Sequence, residues 1–180
     1  MARLPYRDAA DLRPEDRDLL VRPVNIYRAM VNAPGITRAF QVLANQIRHE
    51  SRLDPRLREV AILQIAWSVR SAYEWSHHVK IGRTFGVTES DLRAISTNDD
   101  TALDPQTRAI RRAAQAIAEV GDVADAALSG LRAFLDEERL TELLLTCGIY
   151  VGLARFLHVT RVEVEEEYAK ELKEYPLPQS

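Results

Sequence analysis

Cysteine is nearly absent: Cys147 is the only one in 180 residues. A lone cysteine closes no intrachain disulfide and forms no dithiol redox pair, and it sets the expectation of a reducing, cytoplasmic compartment. Glycine and proline are also scarce, 15 of 180 residues together, below the roughly 12% of an average chain. So few turn formers argue against an all-β fold. No basic block occurs: 24 Lys and Arg stand against 27 Asp and Glu, a net charge of −3. Nucleic-acid binding needs clustered cations to displace counterions, so no nucleic-acid partner is expected. The longest uncharged run, Leu143 to Ala154, is about half the ~20 residues that span a bilayer. Met1 to Arg17 holds Asp8, Asp11, Glu15 and Asp16 and lacks the apolar stretch of a signal peptide. No membrane partner is expected.

What is present is 46% hydrophobic and 28% charged residue content, ordinary for a globular chain. At about 150 residues per domain the length fits one. Residues 1–22, broken by Pro5 and Pro14, read as an N-terminal arm; 23–160 read as a helical domain; 161–180 read as an acidic tail ending at Pro176 and Pro178. Val24 to Asn32 predicts a short helix ended by a Pro34-Gly35 turn. Ile36, Phe40, Leu43 and Ile47 then recur at helical spacing. Asp54-Pro55 is an N-cap followed by proline at the first helical position. The helix it opens, Leu57 to Val69, is apolar on nearly every side and therefore central. Ser71-Ala72-Tyr73-Glu74 has capping-box form and starts a helix running to Gly86. Further helices follow from Thr88, from Asp104-Pro105, over Val123 to Leu135, and along the Leu140 to Leu157 stripe. No strand pattern emerges, so the fold class is all-α, a single-domain bundle of about seven helices.

On the helix from residue 72, Glu74, His78, Ile81 and Phe85 share one face. A turn near Ser68 to Arg70 would fold this helix antiparallel to the preceding one, setting Glu59 beside His78. Two carboxylates and an imidazole would then meet in an apolar interior, where burial and neighbouring charge tune proton-transfer groups. The plain readings are that Ser71 and Glu74 form only a cap, and that Glu59 and His78 form a structural ion pair fixing helix register. His77, about 100° around the helix, reads as a surface or interface residue, and Cys147 as a small core hydrophobe. Three metal ligands could in principle come from Glu59, Glu74 and His78, but the capping role of Glu74 weighs against it; no metal and no cofactor are expected.

Leu57-Arg58-Glu59-Val60-Ala61-Ile62-Leu63, Tyr73-Glu74-Trp75-Ser76-His77-His78 and Gly86-Val87-Thr88 together resemble the carboxymuconolactone decarboxylase family, which includes the alkylhydroperoxidase-like proteins. The resemblance runs from about Ile36 to Ile95 and more loosely through Leu140 to His158. It implies an all-helical fold assembled into trimers or hexamers, with a site on the central helix hairpin near a subunit interface. In the peroxidase branch a glutamate, a Cys-x-x-Cys pair and a histidine relay protons to a thiolate. Those positions fall here on Glu59, on Ser71 and Glu74, and on His78, so both cysteines are missing. A serine gains nothing like the thiolate stabilisation of a helix N-terminus, which leaves the branch without the cysteine pair.

The expected activity is a cofactor-independent, decarboxylase-like lyase acting on a small carboxylated ring or lactone. His78 would donate the proton, Glu59 would orient it, and Glu74 would share the proton or cap its helix. Arg58, Arg70 and Ser71 are the expected substrate-binding residues. The rivals are a non-catalytic oligomer of the same fold and a residual peroxidase activity. A homo-oligomer is also expected from Trp75 and Val79, read as exposed, and from an arm and tail suited to wrapping neighbours.

Overall fold

The computed structural model describes residues 1–177; Pro178, the expected end of the tail, lies outside them. Within these residues the chain forms helices α1 (Asn25–Met30), α2 (Pro34–Asn45), α3 (Pro55–Ser68), α4 (Ala72–Thr84) and α5 (Glu89–Thr97), then α6 (Pro105–Glu119), α7 (Asp125–Arg132), α8 (Glu137–Thr160) and α9 (Ala169–Glu174). No strand occurs among the described residues, and the all-α expectation holds.

Helix starts follow local chemistry. Asp54 caps α3 by accepting from the Leu57 amide at 3.0 Å, with Pro55 in the first turn. Asp104-Pro105 does the same for α6, and Thr88 with Asp91 forms a full capping box for α5. Such caps are worth about 1 kcal/mol each. Pro34-Gly35 departs from expectation: proline occupies the first turn of α2 and opens that helix instead of closing α1, a position where its missing N–H costs nothing.

Every residue of α3 from Leu57 to Ala66 is buried, so the helix has no outer face. One side packs Leu57, Ala61 and Ile65 against Ile110 of α6, Leu131 of α7, and Leu143 and Cys147 of α8. The other packs Val60 and Leu63 against Trp75 and Val79 of α4, Leu92 and Ile95 of α5, and Tyr175. Trp75 and Val79 are therefore core residues of this chain, contrary to the sequence expectation. The tail itself covers them: the Trp75 indole donates to the Tyr175 carbonyl at 2.9 Å. The arm likewise folds onto its own chain, burying Leu19 and Leu20 against Val31. Helix α8 is long and apolar enough to cross a bilayer by length and composition, yet here Leu140, Leu143, Cys147, Ala154 and Leu157 are buried against the rest of the bundle.

Helices α3 and α4 form the central hairpin. Arg70 turns the chain with φ +57°, and the Arg70 and Ser71 amides donate to the Trp67 and Ala66 carbonyls at 3.0 and 2.8 Å. These bonds satisfy the last carbonyls of α3, although the left-handed conformation costs a non-glycine residue about 1 kcal/mol. Farther along, Gly82 lets α4 approach closely: a Cβ there would meet Val87 Cγ2 at 2.9 Å and Glu59 Cβ at 3.5 Å. Valine is stiff at χ1, so the clash is not relieved by a simple rotation. Gly82→Ala is expected to cost about 1–3 kcal/mol of overpacking, read as a lower urea midpoint; a midpoint equal to the parent would show that the hairpin has slack at this contact.

Candidate active site

The capping box at the start of α4 is only half formed. Ser71 Oγ accepts from the Glu74 amide at 3.4 Å, but the Ser71 amide is already committed to Ala66. The Glu74 side chain is thus released from capping and turns along the helix, where its Oε2 lies 3.4 Å from Nε2 of His78. Across the hairpin, Oε2 of Glu59 lies 2.7 Å from Nδ1 of the same ring. The imidazole therefore stands between two carboxylates, with the Tyr150 ring edge-on to it at 5.1 Å.

Arg58 completes the row from behind. Its Nε and Nη2 donate to Glu59 Oε1 at 3.2 and 3.1 Å, and its guanidinium lies 4.8 Å from the Phe85 ring centre. All four charged side chains are buried. Taken with a protonated ring, Arg58, Glu59, His78 and Glu74 sum to zero charge, which is how a buried ionic group avoids an uncompensated desolvation cost. Burial alone would drive the His78 pKa down, but the Glu59 and Glu74 carboxylates outweigh it and raise it to about 9. Burial pushes the Glu59 carboxyl up; His78 and Arg58 overcome that and hold it below the ordinary value.

Glu74 and His78 line a cavity of about 60 Å³, walled also by Tyr27, Phe40, Tyr73 and Tyr150, with Arg22 and Arg48 contributing cations. The other expected substrate-binding residues lie elsewhere. Arg58 is sealed behind Glu59 and does not line the cavity. Arg70 is exposed, and with Ser71 it lines a separate cleft beside Leu157 and Arg161. The residues the sequence reading missed are Arg22, Arg48 and the tyrosines. Phe40, Ala44 and Arg48 stand four apart on one helical face, a spacing legible in the sequence through Phe40, although the apolar pattern does not extend to Arg48. The apolar stripe is split: Phe40 turns to the cavity and Ile47 is half-buried, while Ile36 is 71% exposed and Leu43 40%.

His77 is neither a surface nor an open interface residue. It is stacked between Tyr73 and Tyr168, centroids 4.2 and 3.7 Å away, and its Nε2 lies 2.7 Å from Glu165 Oε2. Glu165 also accepts from the Tyr73 hydroxyl at 2.9 Å and the Asn25 amide at 2.6 Å. Burial raises its carboxyl, but the bonds from His77 and Asn25 outweigh that and lower it to about 2. Cys147 is a core residue on α8, and burial pushes its thiol up to about 12. Among the described residues no group of His, Cys, Asp and Glu is placed to hold a metal ion.

This geometry, a helix hairpin carrying a carboxylate–imidazole–carboxylate row, defines an all-helical protein of the alkylhydroperoxidase-like fold. Residues 34–116 match the model of the carboxymuconolactone decarboxylase family. Among solved structures, an alkylhydroperoxidase core, an uncharacterised peroxidase-related protein from Ralstonia eutropha JMP134, superposes with a TM-score of 0.81 at 17% identity, over 93% of this chain and 94% of that one. A cysteine-to-alanine variant of the debrominase Bmp8, in complex with 2,3,4-tribromopyrrole, gives 0.75 at 19% identity over 97% of each chain. A protein of unknown function from Agrobacterium tumefaciens gives 0.69 at 20% identity, over 76% of this chain and 94% of that one. No curated protein matches the chain in sequence.

The sign of the pH dependence follows from these shifts. The protonated His78 ring stabilises the fold fully below pH 6.5, and that contribution is lost as pH rises through about 9. Glu59 contributes above its unfolded value of about 4.3 and loses its contribution as pH falls. Urea unfolding should therefore show stability declining between pH 6.5 and 9, by roughly 3 kcal/mol. In His78→Gln that decline should flatten; an unchanged profile in the variant would assign the alkaline loss to another group.

Proposed function

We propose that the chain is a cofactor-independent acid–base enzyme, a decarboxylase-like lyase acting on a small carboxylated ring or lactone. One observation carries this reading: His78 is fixed at Nδ1 by a buried carboxylate while its other nitrogen and Glu74 face a cavity. In the reaction, the carbon–carbon bond to the substrate carboxylate breaks and its electron pair enters the conjugated carbonyl system as CO₂ leaves. The resulting enolate takes a proton at carbon from Nε2–H of His78. Solvent returns that proton through Glu74, so each CO₂ released consumes one proton. Glu59 keeps the ring protonated and oriented, and Arg58 neutralises Glu59 on its far side. Positioned acid–base groups supply about 10²–10⁴-fold.

The match to the family model supports enzymatic chemistry in general, and the Bmp8 variant, of similar fold, holds a small ring. The cavity, about 60 Å³, is well short of the roughly 300 Å³ at which ligand pockets begin. A ring enters when α2, with Thr37 as its sole buried residue, moves outward. The small cavity also favours the second reading, a non-catalytic protein of the same fold. Thiol peroxidase chemistry has little support, because Cys147 is buried without a partner thiol.

A homo-oligomer, trimer or hexamer, is part of the proposal, now supported by different residues. Ile36 and Val42 of α2 and Leu145 and Val159 of α8 are large apolar side chains left in water, the kind of surface that a second copy covers. Light scattering should give a multiple of 20.4 kDa; a monomer mass at micromolar concentration overturns this part.

The activity is tested by CO₂ release from a panel of small carboxylated lactones and β-keto acids. The parent protein should turn over at least one of them. His78→Ala and Glu74→Gln should each lose roughly 10²-fold or more while keeping the helical circular dichroism. Turnover undiminished in His78→Ala, or none by the parent on any member, overturns the reading.

A further inference from the structure

We propose that Arg48, flanked by Arg22, is the anion anchor of the His78 cavity, and that it binds the carboxylate of a small unsaturated acid. The inference rests on the acid–base reading for its biological meaning, but its geometry stands apart from it. Arg48 lies on a π-helical turn, Gln46–Glu50, that continues α2. Such turns have poorer backbone hydrogen bonding than an α-helix and occur disproportionately at functional sites. The spacing of Phe40, Ala44 and Arg48 carries one face of α2 over the cavity, so the guanidinium sits on the same wall as an aromatic ring.

Three polar side chains on this wall, Arg48, Tyr27 and Tyr150, have no partner among the described residues. Arg48 is half-buried, yet it makes no hydrogen bond and no ion pair with any described residue, unlike Arg38, Arg56, Arg58, Arg111 and Arg112, each of which is tied to an acid. The hydroxyls of Tyr27 and Tyr150, which line the same cavity, also have no hydrogen-bond partner among the described residues. Arg22 is held only by a 3.4 Å bond to the Tyr168 hydroxyl. Burial lifts both phenols above their ordinary value, and the charge of Arg48 opposes that at each of them, which places the cation and the two hydroxyls in one electrostatic neighbourhood.

A planar carboxylate answers all three vacant donors. A guanidinium offers two parallel N–H bonds to it, stronger than neutral ones and fixed in direction, while a phenol donates to a remaining lone pair. The apolar remainder of the ligand would lie along Phe40 and Ala44, facing Glu74 and His78. The wall selects for an anion: without one, a half-buried guanidinium stays uncompensated beside a quartet that is already neutral. Arg58 and Arg70 cannot do this, the first being spent on Glu59 and the second opening onto the other cleft.

The test is binding, separate from turnover. Crotonate and its neutral counterpart crotonamide are titrated into the full-length protein while the imidazole resonances of His78 are followed by NMR. Crotonate should shift them saturably. Arg48→Gln should weaken crotonate at least tenfold and leave crotonamide unchanged, Arg48→Lys should fall between, and Arg22→Gln should have the smaller effect. Because Arg48 has no intramolecular partner, its variants should melt with the parent, which separates lost binding from lost folding. His78→Gln, followed through the Tyr150 ring, should still bind crotonate. Equal crotonate affinity in Arg48→Gln, equal loss for both compounds, or no binding by the parent overturns the proposal. Arg48-dependent binding without CO₂ release on any substrate would keep the anchor and remove the lyase; CO₂ release indifferent to Arg48 would do the reverse.

Discussion

The contact between Glu59 and His78 is the constraint on which the rest depends. A carboxylate and an imidazole 2.7 Å apart, each almost wholly removed from water, are tolerable only as a charged, compensated pair. That requirement fixes the register of α3 against α4, because sliding either helix by a turn would strand both groups. It explains why Arg58 is buried beside them and why Gly82, lying against Glu59 Cβ, leaves room for the close approach. It also sets the chemistry: the inner nitrogen of the ring is occupied, so only its outer edge, shared with Glu74, meets the cavity.

The design separates duties along the hairpin. Everything behind His78 is closed and saturated: Arg58 stacks on Phe85, and Glu59 receives from two cations. In front, the Tyr27 and Tyr150 hydroxyls and the Arg48 guanidinium have no partner among the described residues, while Glu74 meets His78 alone. A buried network that is fully satisfied makes a rigid support, whereas groups left open are available to something that arrives from outside. Helix α2 belongs to the open side. It contributes a single buried residue to the bundle and turns Ile36, Val42 and Leu43 outward, and Arg38 and Gln41 tie it to the segment before α1.

The helical class, the α3–α4 hairpin and the meeting of Glu59 with His78 were legible in the sequence because each depends on local signals. Asp54-Pro55 and Ser71 mark helix starts, and nine or ten residues on either side of a turn bring two positions level. What could not be read depended on contacts distant in the chain. Trp75 and Val79 look exposed on a helical wheel, and they are buried by α3, by α5 and by the return of Tyr175 from a hundred residues away. Glu74 looked like a cap because the commitment of the Ser71 amide to Ala66 depends on Arg70 adopting φ +57°, which an arginine does not advertise. Arg58 and Arg70 flank the motif in sequence yet do not line the cavity in front of His78, whereas Arg48, in an earlier helical turn, does. The α2 stripe shows the same limit: periodicity identifies a helix, but not which side of it the rest of the molecule occupies.

The carboxylate of Glu165 fastens Asn25, Tyr73 and His77 at once. Ile26, Tyr73 and His77 are also walls of the cavity, so a pocket lined largely by residues up to Ile81 is braced from behind by Glu165, 88 residues beyond His77. Contacts this distant in sequence are the costly ones to form. On a ribosome, which delivers the chain from its N-terminus, the hairpin can assemble well before its surroundings do. The chamber in front of His78 is thus finished only after Glu165 has been made, well after the hairpin itself.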